Sequence, residues 1–172
     1  MKNTFRIACI LFISVFVITS CESDDDNNAF VLNNANIAGT YNLTAFSGTA
    51  RETDTSGGRT DTVLQTIVGG NFNNATVTFN ANGTVSSTGS YTSVLTTVED
   101  GFTDTETTID STDISGSYTI TGNSIRISSL MDATTITILD FSRTGLKLNY
   151  VESDSDVDYT FDASVTFTLV RQ

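Results

Sequence analysis

The stretch Tyr159-Thr160-Phe161-Asp162-Ala163-Ser164-Val165-Thr166-Phe167-Thr168-Leu169 decides the fold, because apolar and polar residues alternate in it without a break. In an extended strand, successive side chains point to opposite faces of the sheet. The stretch therefore predicts a β-strand with one apolar face toward a core and one polar face toward water. It is the most regular alternation in the chain, and it predicts the strand that closes the domain.

The same alternation recurs upstream in shorter segments that are separated by turn residues. Asn80-Ala81-Asn82-Gly83 and Gly122-Asn123 are typical of tight turns, because Asn and Gly tolerate positive φ. Between the turns we expect strands near residues 41–45, 77–79, 85–94, 118–120, 125–127, 136–138 and 146–150. Residues 63–68 form a further strand or a short helical turn. The acid-rich residues 97–113 are expected to form a long solvated loop or a protruding hairpin tip.

About eight or nine strands in hairpin order, each with one apolar face, predict an all-β fold. An antiparallel up-and-down barrel buries all of these faces at once and leaves no open edge. A two-sheet sandwich is the alternative. A barrel of about eight strands has an interior that side chains fill or that holds one small ligand.

The N-terminus predicts export and a lipid anchor. Lys2 and Arg6 precede an apolar run at residues 7–18, which is typical of a secretory signal peptide. At about twelve residues, the run is too short to cross a hydrocarbon core of about 30 Å. Ile18-Thr19-Ser20-Cys21 resembles the bacterial lipoprotein box, in which the cysteine is acylated and the chain is cut before it. We expect a signal peptide at 1–20 and a lipid anchor on Cys21; an ordinary cleaved signal is the alternative.

The segment that follows Cys21 reads Glu22-Ser23-Asp24-Asp25-Asp26 and predicts an acidic tether over residues 21–36. An acidic run beside a lipidated cysteine resembles the surface-export signal of Bacteroidetes lipoproteins. This resemblance implies a lipid-anchored protein of the outer membrane that is exposed at the cell surface. The alternative is that the acids merely keep a linker extended. The barrel domain is expected over residues 37–172.

Composition excludes several classes of function. The chain has 20 acidic and 8 basic residues, and loss of Lys2 and Arg6 with the signal peptide changes its formal charge from −12 to −14. Such a surface repels nucleic acid, so DNA and RNA are not expected partners. The chain has no His, and Cys21 would be acylated, which excludes Cys/His zinc sites and His-based catalytic triads. We expect a monomeric, non-enzymatic domain without a cofactor.

Four segments resemble the lipocalin-like domain of Bacteroidetes lipoproteins over about residues 37–170. They are Gly39-Thr40-Tyr41 with Leu43, Val77 to Thr84, Gly116 to Asn123, and Gly145 to Leu148. The resemblance implies an antiparallel barrel with an apolar pocket, in a family whose members mostly lack an established activity.

The chain also departs from better-known lipocalins. Tyr41 stands where their first motif has Trp, and the chain stops at Gln172 without a helix after the last strand. A lipocalin-type arginine stacks on an aromatic ring at the barrel base. For Arg171 we prefer the interpretation that it is an exposed terminal residue.

Three sets of side chains are candidates for a site. Aromatic residues that would line a ligand cavity, or simply fill a small barrel, are Tyr41, Phe79, Tyr91, Tyr118, Tyr159, Phe161 and Phe167. The alternating acids Asp154, Asp156 and Asp158 suit a solvated turn, and a loose calcium site that includes Asp162 is the alternative. Carboxylate catalysis would have to use Glu99, Asp100 or Glu106.

Two functions follow from these features. The leading hypothesis is a non-enzymatic, membrane-anchored lipoprotein whose barrel binds a small apolar or amphipathic ligand. The alternative is a surface interaction or structural module with a filled barrel, which binds a protein or a glycan through its loops. A carboxylate hydrolase is a third hypothesis, and it predicts loss of activity when Glu99 or Asp100 is changed to its amide.

Overall fold

The computed structural model describes residues 30–130 and 135–172, which form a nearly all-β domain. A four-residue helix, α1 (Asn34–Ile37), precedes nine strands in this part of the chain. The strands are β1 (Gly39–Asp54), β2 (Asp61–Phe79), β3 (Thr84–Glu99), β4 (Phe102–Ser111), β5 (Ser115–Thr121), β6 (Ser124–Ile127), β7 (Ile136–Phe141), β8 (Gly145–Asp156) and β9 (Tyr159–Arg171). None of the helices within 30–130 and 135–172 is long and apolar enough to span a membrane.

The strands form one antiparallel sheet in the order β2-β1-β9-β8-β7-β6-β5-β3-β4, and β2 also pairs with β3. That additional pairing closes the sheet into a ring, because β2 and β3 lie near opposite ends of the order. The predicted antiparallel up-and-down barrel is therefore confirmed, in preference to a two-sheet sandwich.

The ring is closed only at one end of the strands. Residues 84–86 of β3 pair with β5, whereas residues 90–99 of the same edge pair with β4. β8 pairs with β7 only up to Tyr150, so residues 151–156 pair with β9 alone. The strands β3, β2, β1, β9 and β8 therefore continue beyond the barrel, and together with β4, which pairs only with β3, they form an open sheet. We call it the sheet extension (residues 47–54, 61–69, 90–111, 151–156 and 159–165).

The prediction that the barrel leaves no open edge is wrong for the sheet extension. Within the part of the chain that the structure describes, β4 and the last six residues of β8 each have one unpaired edge. Both edges carry acids, namely Asp104 and Glu106 on β4 and Glu152, Asp154 and Asp156 on β8. Charged side chains on an edge strand oppose pairing with a second chain.

Two predicted elements differ in the structure. Residues 63–68 are extended, as the strand alternative predicted, but they join residues 77–79 in the single 19-residue strand β2. Its register shifts between Gly70 and Thr76, where Asn71 and Asn74 have φ of 47° and 50°. Residues 97–113 are not a loop. They belong mainly to the paired β3–β4 hairpin, which turns at Asp100-Gly101 and confirms the hairpin alternative.

The core of the barrel contains two groups of aromatic rings. The group nearer the closed end is Tyr41, Phe79 and Tyr118. The ring of Phe79 contacts the other two rings edge-on, with ring centres 5.9 and 5.2 Å apart. In the group nearer the sheet extension, the centre of the Phe46 ring lies 6.2, 5.0 and 5.9 Å from the ring centres of Phe72, Tyr91 and Phe167. All buried residues of the described part lie between Ile37 and Leu169. Residues 28–172 therefore contain a complete core, and we expect this segment to fold alone.

The closed end of the barrel is held by the last residues of the chain. Arg171 donates hydrogen bonds to the carbonyl oxygens of Asn36 (2.6 Å) and Ala38 (3.0 Å), and its guanidinium lies 4.9 Å from the centre of the Tyr41 ring. The Tyr41 hydroxyl in turn donates to the carbonyl oxygen of Ile37 at 2.8 Å. The interpretation of Arg171 as an exposed terminal residue was therefore wrong. The strand β9 continues past Leu169, and its alternation turns Arg171 to the inner face.

The ordered contacts begin upstream of the predicted domain boundary at Ile37. Phe30 stacks on Phe141 with ring centres 4.7 Å apart, and Leu32 packs against the core. Part of the segment 21–36 that the sequence assigned to a tether thus belongs to the folded domain. Residues 1–29, which include the predicted signal peptide and Cys21, lie outside the described residues.

Candidate functional site

A cavity of about 340 Å³ lies inside the barrel, bordered by rings of both aromatic groups. Its wall is almost wholly apolar and comes from strands on all sides of the barrel; it includes Leu43, Val77, Phe79, Ile127, Ile136, Leu148 and Phe167. Ligand pockets in proteins typically have volumes of about 300–1,000 Å³ and mostly hydrophobic walls. This cavity therefore suits one short alkyl chain or one small ring.

The segment that joins β4 to β5 forms one side of the cavity. The Thr112 amide donates to the Gly89 carbonyl oxygen (3.0 Å), and the Ile114 amide donates to the Ser87 hydroxyl (2.6 Å). These bonds hold the segment along β3, so that the half-buried Ile114 and the exposed Asp113 line the cavity. Asp113 is the only charged side chain among the described lining residues.

A glycine is required where this segment meets β3. Gly89 has φ of 96°, and a Cβ on it would lie 2.1 Å from the Asn74 carbonyl oxygen. Only a residue without a side chain fits so close to the neighbouring backbone at this backbone conformation.

A polar cluster of Ser93, Thr108 and Asp110 lies beside Tyr91, on the inner face of the sheet. The Asp110 Oδ2 accepts hydrogen bonds from the Ser93 hydroxyl (2.6 Å) and the Thr108 hydroxyl (3.0 Å). Asp110 is paired with Tyr91 across the β3–β4 ladder. The chain has no His, so the group that accepts the hydrogen bond of the Ser93 hydroxyl is a carboxylate and not an imidazole. What it supplies is a carboxylate fixed close to the cavity.

The structure brings three of the seven predicted aromatic residues to the cavity. Phe79, Tyr91 and Phe167 line it. Tyr41 and Tyr118 pack against Phe79, outside the lining. Tyr159 and Phe161 lie on the sheet extension, paired with Asp54 and Glu52 of β1.

The aliphatic part of the wall was missed by the sequence analysis, which selected aromatic residues. Leu43, Val77 and Leu148 line the cavity, and each occupies an inward position of a predicted strand. The alternation signal was therefore present at these positions. Ile114 carries no such signal, because it lies between two strands.

The predicted acidic candidates do not form a metal centre. Asp154 and Asp156 are part of β8, and Asp158 lies in the turn that follows. In residues 30–130 and 135–172, no group of three or more His, Cys, Asp or Glu side chains could hold a metal ion. At the β3–β4 hairpin, Asp100 accepts a hydrogen bond from Arg59 at 2.9 Å, and Glu99, Asp100 and Glu106 do not line the barrel cavity.

The buried tyrosines predict a loss of stability in alkali. Burial raises the pKa of Tyr41, Tyr91 and Tyr118 above the ordinary 10.0; the guanidinium of Arg171 partly opposes this for Tyr41, and Asp110 adds to it for Tyr91. The folded state thus holds these protons more tightly than the unfolded state. Their contribution to stability is complete below about pH 10 and is lost as the pH rises further.

We expect the free energy of unfolding by urea to fall between about pH 9 and about pH 11. The matched variant Tyr91→Phe cannot ionise at this position, so its stability should fall less over the same range. Equal stability of the unmodified protein at both pH values would contradict the prediction.

A scan against protein-family models found no match to this chain, and a search of curated proteins found none either.

Proposed function

We propose that this chain is a non-enzymatic, membrane-anchored lipoprotein whose lipocalin-like barrel binds a small apolar or amphipathic molecule. The observation that carries the binding proposal is the apolar cavity of about 340 Å³ within the barrel. The lipoprotein box at Cys21 and the acidic run after it support anchoring in the outer membrane with exposure at the cell surface.

The cavity suggests a modest affinity. Burial of one methylene is worth about 0.8 kcal/mol, so about six methylenes supply roughly 5 kcal/mol before the cost of association. We therefore expect dissociation constants of about 0.2 mM or weaker for single short chains.

Val77→Phe is expected to weaken the binding of octanol by about tenfold or more, because the added ring would occupy the cavity that Val77 lines. Isothermal titration calorimetry on Asn28–Gln172 measures this. The matched control Val170→Phe adds the same ring at an exposed position and should bind octanol as the unmodified protein does. Unchanged octanol binding by Val77→Phe would contradict the proposed site.

A surface interaction module is the second candidate function, and the sheet extension is the observation that favours it. The extension has two unpaired edges within the described residues, and its Phe102 side chain is 80% exposed. Native mass spectrometry of Asn28–Gln172, purified from its own host without detergent, separates the two functions. A retained small molecule supports the cavity, whereas a bare domain together with a co-purifying protein or glycan supports the module.

Cys21→Ser is expected to release the protein from membranes and to abolish incorporation of labelled palmitate. Stable anchoring requires more than one acyl chain, which the lipoprotein modification provides on this one residue. Fractionation of cells and labelling with palmitate measure both effects. The matched variant Cys9→Ser changes the predicted signal peptide and should leave both unchanged. Equal membrane association of Cys21→Ser and the unmodified protein would contradict the anchor.

A further inference from the structure

The acidic side chains of the sheet extension are concentrated on its inner face, the face that continues the barrel interior. On β1 and β9, this face contains the pairs Phe46–Phe167, Gly48–Val165 and Glu52–Phe161, in order of increasing distance from the closed end. The acids at inner-face positions are Glu52, Asp54, Asp61, Glu99, Asp104, Glu106, Asp110, Glu152, Asp154 and Asp156. No Lys or Arg occupies an inner-face position of the described extension.

The state of Tyr159 agrees with this placement. The pKa of Tyr159 is raised by desolvation, and the negative charges of Glu52, Asp154 and Glu152 add to the rise. These carboxylates come from β1 and β8, so strands on either side of β9 direct negative charge to the same face.

An apolar floor connects this acidic face with the barrel cavity. Gly48, Ala50, Ile67, Leu95 and Val165 line a hollow of about 160 Å³ on the inner face. Tyr91 and Phe167 line the barrel cavity, and both rings contact the ring of Phe46. Phe46 lies two residues before Gly48 on β1, on the same inner face. A molecule that protrudes from the barrel on this side therefore meets apolar surface first and carboxylates beyond it.

The cations of the barrel domain lie elsewhere. Arg143 and Arg171 are at the closed end, Lys147 is paired with Asp140 near it, and Arg126 is exposed on β6. Arg51 is paired with Asp162 at an outer-face position, and Arg59 contacts Asp61 (2.7 Å) and Asp100 (2.9 Å) at the tip of the extension. A ligand carboxylate near Asp113 would thus find no neutralising partner on the inner face of the described sheet extension.

We propose that the cavity binds an amphipathic amine, whose apolar chain lies inside the barrel while its protonated amino group remains at the Asp113 side. This inference rests on the proposed function, because it specifies the ligand of the same cavity. The exposure of Asp113 lets the ammonium group keep part of its hydration, so little desolvation opposes the contact. Asp110, fixed by two hydroxyl groups, adds a second negative charge near the cavity.

The test compares octylamine, octanol and octanoate, which share one apolar chain and differ in charge. Calorimetric titration of Asn28–Gln172 near neutral pH should show octylamine binding about threefold to tenfold more tightly than octanol. Octanoate should bind more weakly than octanol by a similar factor. Added salt should reduce both differences, because the contacts are exposed to solvent.

Asp113→Asn should reduce the affinity for octylamine relative to that for octanol, so that the ratio of the two affinities approaches one. The matched control Asp162→Asn removes the same charge from the outer face and should keep the preference for octylamine. Unfolding by urea, followed for both variants, establishes that each is folded.

The outcomes separate this inference from the proposed function. Equal binding of octanol and octylamine would overturn the amine preference and leave the apolar cavity as the site. Absence of binding by all three molecules would overturn both. Octylamine binding that survives Val77→Phe unchanged would show adsorption to the acidic face, which also overturns the inference.

Discussion

Phe79→Ala is expected to lower the free energy of unfolding by about 3–5 kcal/mol, the usual range for removal of a buried phenylalanine ring. Phe79 is 1% exposed, and its ring contacts both Tyr41 and Tyr118. Phe79 also borders the barrel cavity, so the space left by its ring would join an existing void. Because the neighbouring side chains would fill little of this combined space, we expect a loss of stability in the upper part of the range.

The matched control is Phe102→Ala, which removes the same ring from a position that is 80% exposed on the β3–β4 hairpin. Its effect on unfolding by urea should stay within about 0.5 kcal/mol. Equal destabilisation by the two variants would contradict the view that the domain is stabilised by the closed part of the barrel. Phe79→Ala should also alter octanol binding, because it changes the wall of the cavity.

Arg171→Ala is expected to lower the free energy of unfolding by about 2–4 kcal/mol. The substitution removes donors to the carbonyl oxygens of Asn36 and Ala38 and a cation–π contact with Tyr41. Arg171 also donates to the Tyr41 hydroxyl at 2.5 Å. Because these contacts join β9 to the residues around α1, their loss should loosen the closed end first.

Two further variants make this second prediction specific. Arg171→Lys keeps the charge but lacks the planar fork of donors, so it should recover only part of the stability. Arg126→Ala removes an arginine from an exposed position on β6 and should have little effect. If Arg171→Ala and Arg126→Ala were equally stable in urea, the proposed role of Arg171 at the closed end would be wrong.

Predictions from the sequence were most successful where the signal is local. The alternation from Tyr159 to Leu169 lies within the single strand β9, and Gly122-Asn123 is the turn between β5 and β6. Alternation also identifies the inward side chains, and Phe79, Tyr91 and Phe167 do line the cavity. These results follow from the period-two geometry of a strand, which needs no knowledge of its partners.

Predictions failed where the answer depends on a partner that is distant in sequence. The position of the Arg171 side chain depends on its hydrogen bonds to Asn36 and Ala38, which are more than 130 residues away in the chain. The bulged course of β2 depends on its pairing with β1 and β3. The place of Ile114 in the cavity wall depends on its hydrogen bond to Ser87.

By itself, the sequence of this protein determined most of the strands, their apolar faces, the tight turns and the excess of acids, because each is carried by neighbouring residues. Only the tertiary structure decided that β3 divides its edge between β4 and β5, and that an open sheet of six strands extends past the closed barrel. It also decided that a cavity remains beneath an acidic inner face. The physical reason is that register and closure are set by contacts between whole strands, whose energies no single segment contains.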